Sequence, residues 1–357
     1  MSADPLRTKI CDLLGIDYPV ISAGMGFVAR AELAAAVSNA GGLGVVGGAG
    51  FTPERLRLEI RKTRGLTDKP FGVDLLLPIQ TTGDVLLPRP PSERPEVDAA
   101  ELEADVGGEF AFVEGRAVTP EELMQIVLEE CPPVFASGLG NPGPWVSHLH
   151  DRGVVVMSLV GTSRAARKVA DAGADIVVAQ GTEGGGHTGR VATAALVPAV
   201  IQAVDPTPVV AAGGITSGAG LAAAIAMGAQ GVWMGTRFVA THEAHAHINY
   251  KNKIIDADED STVITRAYSG KPLRTIRNKW TAEWEDRRDE ILPFPKQFRH
   301  SAKVYVLARR DGDTDLGSMP CGQGAGLIHE LLPAAEVVRR VVDDARLALR
   351  RTANIDS

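Results

Sequence analysis

Short apolar runs alternate with longer helix-forming segments along most of this chain. An apolar run of strand length without regular polar alternation is typical of a strand that is buried on both faces. The predicted strands are Pro19–Ala23, Leu43–Gly47, Phe71–Leu77, Val134–Ser137, Val154–Leu159, Asp175–Ala179, Thr207–Ala212 and Gly231–Met234.

The segments between these strands are predicted helices. Thr52 and Thr119 each stand directly before a proline, which places a capping residue next to the residue preferred at the first helical position. The predicted helices are Ala31–Ala40, one beginning at Thr52, Pro120–Glu130, Pro144–Asp151, Thr162–Ala172, Ala194–Val204 and Ser217–Met227. Eight strands alternating with helices favour an α/β fold, specifically a parallel (β/α)8 TIM barrel. A doubly wound open sheet is the alternative, although it explains less naturally why chemical motifs follow several different strands.

Two segments interrupt this alternation. Residues 78–119 form an insertion after strand 3 that contains the proline-rich stretch 88–95. A long excursion of this kind is usually either a functional lid or a mobile insertion. Residues 242–310 form a charged, irregular or helical excursion after strand 8, with Trp280 and Trp284 at helical spacing. We expect this excursion to pack on the barrel or to join a subunit contact, as in a homodimer.

The remaining chain is predicted to form one domain. Residues 1–241 and 311–357 make up the barrel and its C-terminal helix, which is expected over Leu327–Leu349 with an interruption near Pro333. A single α/β barrel commonly has about 250 residues, so this division fits the length of the chain.

Composition excludes several classes of protein. With 37 basic and 44 acidic residues the net charge is −7, which does not suggest a nucleic-acid surface. The three cysteines are far apart and lack CxxC spacing, and the histidines at 242, 245 and 247 are more typical of a solvated loop, so no metal site is predicted. The N-terminus lacks the apolar core of a signal peptide, and no apolar run is long enough to span a membrane. We therefore expect a cytoplasmic protein that binds neither membrane nor nucleic acid.

The segment Gln180–Gly189 carries the most distinctive chemistry. Five of its ten residues are glycine, and it directly follows a predicted buried strand. Glycines allow a loop backbone to approach a flat or anionic ligand closely. His187 lies within this loop and is the side chain best able to exchange protons near neutral pH. Glu183 is predicted to shape the loop through hydrogen bonds to backbone amides, and less readily to act as an acid or base.

Two further strand ends are glycine-rich. Gly213 and Gly214 follow the seventh predicted strand, and Gly235 and Thr236 follow the eighth. Backbone amides at such strand-to-helix turns can bind an oxyanion, and barrels often bind phosphate at this place. The pair of turns predicts a cofactor that carries a phosphate group.

These motifs resemble the nitronate monooxygenase family, which is itself similar to FMN-dependent enoyl-acyl-carrier-protein reductases. The resemblance covers most of the chain outside the insertion and the excursion, and is carried by Pro19–Gly26, Gln180–Gly189, Gly213–Gly214, Gly235–Phe238 and Gly322–Ile328. It implies a β/α barrel that binds FMN. The flavin-binding residues that it implies are Ala23, Gly24 and Met25 against the isoalloxazine, Gln180 and Gly185 in contact with the ring, Gly213, Gly214, Gly235 and Thr236 at the phosphate, and Gln323 where the site closes.

The resemblance also assigns roles to two ionisable side chains. His187 matches the active-site histidine, which would take a proton from a neutral nitroalkane or help to hold an anionic nitronate. Asp74 stands where the family often has asparagine, and a charged aspartate can accept a flavin N–H but cannot donate as an amide does. The alternative for Asp74 is a polar residue that only ends its strand.

Three functions follow from the resemblance. The first is an FMN-dependent nitronate monooxygenase, with His187 beside the flavin, that uses O2 for oxidative denitrification of alkyl nitronates. The second is an NAD(P)H-linked FMN reductase or dehydrogenase for an unsaturated acyl thioester, carried on CoA or a carrier protein, or an enone-like compound. The basic segment Lys271–Lys279 supports the second function, because its positive charges could bind the phosphates of CoA or a carrier. The third is a noncatalytic FMN-binding protein.

Overall fold

Eight parallel strands surround the centre of the molecule. A computed structural model describes residues 4–77, 112–113 and 116–353. The barrel strands are β1 Val20–Ser22, β2 Gly44–Gly47, β3 Phe71–Leu76, β4 Val134–Leu139, β5 Val155–Val160, β6 Ile176–Gln180, β7 Val209–Ala212 and β8 Gly231–Met234. Each strand pairs in parallel with the next, β8 pairs with β1, and a bridge from Ile21 to Leu43 joins β1 to the start of β2. The predicted (β/α)8 barrel is confirmed, and the open doubly wound sheet is wrong.

Helices follow the strands on the outside of the barrel. They are α1 Ala31–Asn39, α2 Pro53–Leu66, α3 Pro120–Glu130, α4 Gly143–His150, α5 Ser163–Asp171, α6 Thr193–Val204, α7 Gly218–Ala226 and α8 Ala334–Ala353. Thr52 and Thr119 accept a backbone N–H at the start of α2 and α3, and Thr119 forms a capping box with Glu122. The predicted caps are therefore confirmed.

The last helix takes the eighth position in the ring. α8 packs against α7 and α1, so it fills the gap between the last and the first units of the barrel. The sequence predicted a helix over Leu327–Leu349 with an interruption near Pro333. The interruption is confirmed, but the segment before it is not α-helical, because Gln323–Leu327 is a short 3-10 helix and α8 begins only at Ala334. Pro333 explains the late start, because the residue before a proline is pushed out of the helical region and a proline fits at a helix start.

The barrel interior is filled by side chains from alternating strand positions. Ile21, Val45, Val178 and Val210 are fully buried and belong to one apolar cluster with Trp233. An N-terminal helix, Lys9–Leu14, adds Ile10, Cys11 and Leu14 to the same cluster. This filled interior is a packed core, so ligands can enter only at the ends of the strands.

The excursion after β8 is built of short helices and a hairpin. Strands Thr262–Thr265 and Leu273–Ile276 pair antiparallel, and the second of them also pairs with Gly186–His187. The helices are Ile248–Ile255, Lys279–Asp286, Lys296–Tyr305 and Leu307–Arg310. Trp280 and Trp284 have ring centroids 5.7 Å apart and pack within this unit. The excursion is thus hydrogen-bonded to the glycine-rich loop of the barrel.

Little of the insertion after β3 falls within the described residues. Phe112–Val113 and Arg116–Ala117 pair as two short antiparallel strands, whereas residues 78–111 and 114–115, which carry the proposed lid, lie outside the described part. No helix in the described ranges is long and apolar enough to cross a membrane.

A buried ion-pair network joins α2 to α3. The Arg57 side chain is 1% exposed and contacts two acidic residues of α3, Glu129 and Glu130. Its Nη1 lies 2.6 Å from Glu130 Oε1. Arg61 reaches the same Glu130 at 2.9 Å, but its side chain is 48% exposed.

We expect Arg57→Met to destabilise the fold by about 3–5 kcal/mol, because it leaves two buried carboxylates without their shared cation. Arg61→Met is the matched control on the same helix, and its cost should stay below about 1 kcal/mol because exposed ion pairs contribute little. Urea unfolding followed by circular dichroism measures both values. Equal losses in the two variants would contradict the proposed dependence on burial.

Candidate active site

A cavity of about 500 Å³ lies at the carboxyl ends of the barrel strands. Its wall comes from the loops after β1, β3, β6, β7 and β8, which is where barrel enzymes place their chemistry. The predicted site residues found in this wall are Ala23, Gly24, Met25, Asp74, Gln180, Gly185, His187, Gly213, Gly214, Gly235 and Thr236.

Gln323 lies apart from this group. It lines a neighbouring cavity together with Glu183, Gly213 and Gly214, and its backbone N–H donates to the Glu183 carbonyl at 3.0 Å. Its neighbours Gly322 and Gly324, in contrast, reach the main cavity. The structure therefore places the predicted residues from five strand ends around one cavity, whereas Gln323 lines the neighbouring one.

Asp74 and Gly24 meet at the base of the cavity. A Cβ atom on Gly24 would lie 2.2 Å from Asp74 Cβ, so only glycine fits beside this carboxyl group. Asp74 is 5% exposed, and its Oδ1 has no hydrogen-bond partner among the described residues. Burial raises the pKa of Asp74 well above its ordinary range, against the opposing effect of the Gly138 backbone amide. The raised pKa favours the protonated carboxyl group, which can donate an O–H hydrogen bond to a ligand, as an asparagine amide donates an N–H.

The glycine-rich loop is fixed from two sides. Gln180 Nε2 donates to the His187 carbonyl at 2.8 Å, which ties the loop back to the end of β6. A Cβ atom on Gly185 would lie 2.8 Å from the Cys321 and Gly322 backbones, so the loop packs directly on that segment. Gly186 and His187 continue as a strand that pairs with the excursion.

Glu183 serves the loop as a structural residue. Both of its carboxylate oxygens lie 3.0 Å from the Thr193 backbone N–H at the start of α6. The Thr193 hydroxyl lies 2.9 Å from the same carboxylate. The carboxylate thus satisfies amide and hydroxyl donors at a helix N-terminus, where negative charge is also favoured. The predicted structural role of Glu183 is confirmed.

His187 presents a neutral imidazole to the cavity. Its Nε2 lies 3.0 Å from Ser269 Oγ, a residue of the excursion. Burial, with the nearby charges of Lys271 and Arg309, lowers the pKa of His187 to about 4. Ser269 Oγ can donate to the Lys271 carbonyl at 3.2 Å, so it can accept the Nε2 proton and leave Nδ1 as a lone-pair acceptor.

The turns after β7 and β8 form the other end of the cavity. Gly213 and Gly214 have φ values of 100° and 72°, and a tight backbone turn results. Thr236 Oγ1 accepts the Gly322 N–H at 2.9 Å, and the hydroxyl also makes a side-chain hydrogen bond with Cys321. Arg237 is buried close by, but Nη2 donates to the Ala240 and Glu330 carbonyls at 2.7 and 2.9 Å. Arg237 therefore stabilises the turn, and Thr236 lines the cavity.

Sequence reasoning missed three residues of the site, Ser269, Tyr305 and Arg309. All three line the cavity and belong to the excursion. No local sequence signal marks them, because Tyr305 ends one helix and Arg309 belongs to the next, and they meet through the packing of the excursion. The histidines at 242, 245 and 247 lie in a loop, as expected; those at 242 and 245 are exposed, and the ring of His247 accepts the Asn249 N–H at 3.2 Å. The described residues hold no group of three His, Cys, Asp or Glu side chains suited to a metal ion.

The barrel and its glycine-lined cavity, with a carboxyl group and an imidazole in the wall, have the architecture of a barrel enzyme. Residues 7–344 match the sequence pattern of the nitronate monooxygenase family. The chain belongs to the nitronate monooxygenase family and is an oxidoreductase of this flavin-dependent group.

Relatives with different activities resemble the chain to a similar degree. The nitronate monooxygenase of Pseudomonas aeruginosa is 36% identical, over 96% of this chain and 100% of its own length. The (3aS,4S,5R,7aS)-5-hydroxy-7a-methyl-1-oxo-octahydro-1H-indene-4-carboxyl-CoA dehydrogenase of Mycobacterium tuberculosis is 33% identical, over 95% of this chain and 96% of its own. FabK from Thermotoga maritima superposes with a TM-score of 0.81 at 35% identity, over 97% of this chain and 98% of its own. Family membership is therefore shown, while the substrate has to be argued from the site.

The lowered pKa of His187 should make stability depend on pH. The unfolded imidazole takes up a proton near its ordinary pKa of 6.5, whereas the folded one does so only near about 4. Between these values the unfolded state binds more protons, so the free energy of unfolding falls as the pH is lowered, by at most about 1.4 kcal/mol per pH unit. Above pH 6.5 this contribution is constant.

We expect His187→Asn to lose this part of the acid sensitivity. The difference in unfolding free energy between the two proteins should change between pH 6.5 and 4.5 and stay flat between pH 7 and 8.5. Because Asp74 is common to both proteins, its titration cancels in the comparison. If the unfolding free energies of the two proteins changed in parallel between pH 6.5 and 4.5, the pKa of His187 would not be lowered by folding.

Proposed function

We propose that this protein binds FMN and oxidises alkyl nitronates with O2. The observation that carries the proposal is the neutral imidazole of His187 beside the two cations Lys271 and Arg309. An imidazole in this setting resists protonation, so it is a weak base for a neutral nitroalkane. The same positive surroundings favour a substrate that arrives already deprotonated, as a nitronate does.

The cavity offers what FMN requires. Asp74 Oδ1 is a buried polar atom without a protein partner among the described residues, and Gly24, which lacks a side chain, lets the backbone pack directly on this carboxyl group in the cavity wall. Both observations fit a flat, hydrogen-bonding ring at the base of the cavity. The residues that would hold the ring are Ala23, Gly24, Met25, Asp74, Gln180 and Gly185, and those that would hold the phosphate are Gly213, Gly214, Gly235 and Thr236. When bound, FMN would supply the electron transfer and the reaction with O2.

The chain's own contribution is binding and orientation. His187 would lie beside the substrate while Ser269 fixes its ring through Nε2. Asp74 would donate an O–H hydrogen bond to the flavin. From the sequence alone, only an amide side chain at this position was expected to donate such a bond. Gln180 would keep the His187 backbone at a constant distance from the end of β6.

An acyl-thioester reductase or dehydrogenase is the second candidate, because one relative is named a carboxyl-CoA dehydrogenase. The basic segment that favoured it in the sequence is largely occupied in the structure. Arg274 is buried and donates to the Thr182 carbonyl and Thr262, while Lys279 pairs with Asp315 at 2.6 Å. Arg277 reaches the Asp260 carbonyl at 2.6 Å. Arg274 is therefore unavailable to a carrier phosphate, while Arg277 and Lys279 already have protein partners at the surface, which weakens the case for a carrier phosphate at this segment.

Anaerobic mixing separates the two candidates. We expect the purified holoenzyme to be yellow and propane-2-nitronate to change the absorption of its bound flavin within seconds, whereas NADH and NADPH leave it unchanged. Stopped-flow absorbance measures both reactions under the same conditions. Rapid reduction by NAD(P)H with no response to several nitronates would reject the monooxygenase and support the reductase, and no response to either would support a noncatalytic flavin-binding protein.

Replacing Asp74 tests its role as a hydrogen-bond donor to FMN. Asp74→Asn keeps a donor of the same size, so FMN affinity should stay within about threefold of the parent. Asp74→Ala removes one neutral hydrogen bond, worth about 1 kcal/mol, and should weaken FMN binding by roughly fivefold to tenfold. Flavin fluorescence after equilibrium dialysis measures both constants. The role is wrong if the alanine variant retains FMN as tightly as the asparagine variant.

A further inference from the structure

Arg309 lies in the wall of the cavity with part of its hydrogen-bonding capacity unused. The residue is 8% exposed and stands at the end of the short helix Leu307–Arg310. Its guanidinium carbon lies 4.6 Å from the Tyr305 ring centroid and 5.7 Å from that of Phe27. Nη1 makes one long bond, 3.4 Å, to the Gly26 carbonyl. The two rings and this bond fix the plane of the guanidinium group.

The other edge of the guanidinium group lacks a partner. Nε and Nη2 of Arg309 are both buried, and neither is hydrogen-bonded to any described residue. These two nitrogens form one side of the planar fork, and their N–H bonds point in parallel. By comparison, buried Arg57 has two carboxylate partners, and buried Arg274 donates from Nε and Nη1. An arginine stays charged when buried, so an unused fork of this kind is costly unless an anion completes it.

Among the described residues, the cavity wall contains one carboxyl group, that of Asp74. Neither Nε nor Nη2 of Arg309 is hydrogen-bonded to it, and burial raises its pKa, which favours the uncharged form. His187 is uncharged at neutral pH, because burial lowers its pKa to about 4. Arg309 is the one cationic side chain in the described part of the wall, next to the loop that follows β1.

We propose that Arg309 anchors the substrate by binding both oxygens of a compact planar anion through Nε and Nη2. The inference rests on the proposed function in one respect, which is that it identifies this anion with the nitronate group. It assigns specificity to a residue of the excursion: planar oxyanions bind, and neutral molecules of the same shape do not. The covering side chains have to shift as the anion enters, because both nitrogens are shielded from water.

Arg309 and His187 would face different ends of the substrate. A nitronate whose oxygens face Arg309 presents its carbon end away from the guanidinium group, where the imidazole and the flavin would lie. Since the charge of Arg309 already acts on His187, the anion would relieve the electrostatic strain on both groups. Binding is therefore expected to be selective for charge before any chemistry occurs.

The test uses the FMN-loaded protein with isobutyrate, an unreactive carboxylate of the same shape as propane-2-nitronate, and with the neutral amide isobutyramide. Perturbation of the flavin absorption measures both dissociation constants. We expect Arg309→Met to weaken isobutyrate binding by roughly tenfold to a hundredfold, the loss expected for a charge-assisted bidentate contact. Arg309→Lys keeps the charge without the fork and should lose about threefold to tenfold. Isobutyramide binding should change by less than about twofold in both variants, because an uncharged ligand gains little from the guanidinium charge.

Arg310→Met is the matched control. Arg310 is the next residue of the same helix, but it is exposed and pairs with Asp311 at 2.7 Å. This variant should bind isobutyrate as the parent does. FMN content and unfolding midpoint are measured for every variant, and Arg309→Lys preserves the test if the methionine variant folds poorly.

Each outcome bears on the anchor separately from the proposed reaction. Absence of isobutyrate binding to the parent, equal binding by the parent and both Arg309 variants, or an equal loss in Arg310→Met overturns the anchor. Selective loss at Arg309 supports it even if nitronates are not oxidised, since isobutyrate binding involves no turnover. In that case the proposed monooxygenase activity fails while an anion-binding site remains.

Discussion

The backbone pairing between the glycine-rich loop and the excursion is the interaction on which the site depends. His187 pairs with Leu273 and Gly186 with Arg274, so a loop of the barrel becomes the edge of a small separate sheet. This pairing brings Ser269 to the imidazole and closes the cavity from above. A flexible loop of glycines thereby gains a defined position without any bulky side chain of its own.

The site works by keeping its ionisable groups uncharged. Burial shifts both pKa values toward the uncharged form: it raises the pKa of Asp74, because it disfavours the anion, and lowers the pKa of His187, because it disfavours the cation. Neutral groups allow a flat cofactor and a substrate to enter without competing ion pairs. The positive charge of Arg309 is then the dominant electrostatic feature of the substrate space.

The barrel and most of the predicted cofactor residues could be read from the sequence because their signals are local. Buried strands, capping threonines and glycines after strand ends each occupy a few consecutive residues, and the fold brings these strand ends to one face. Ser269 and Arg309 could not be predicted, since they reach the cavity only through the long-range packing of the excursion. The raised pKa of Asp74 could not be predicted either, because the sequence does not show that this side chain is buried. The start of α8 was misplaced because Pro333 shortened the helix.

The position of α8 has a consequence for the order in which the molecule assembles. This helix fills the place between α7 and α1, yet in the chain it comes after the entire excursion. During synthesis the ring of helices stays open until the segment that roofs the cavity has already left the ribosome. The cavity and the outer ring can therefore be completed only late in synthesis, and a chain interrupted within the excursion would lack the helix that covers both α1 and α7.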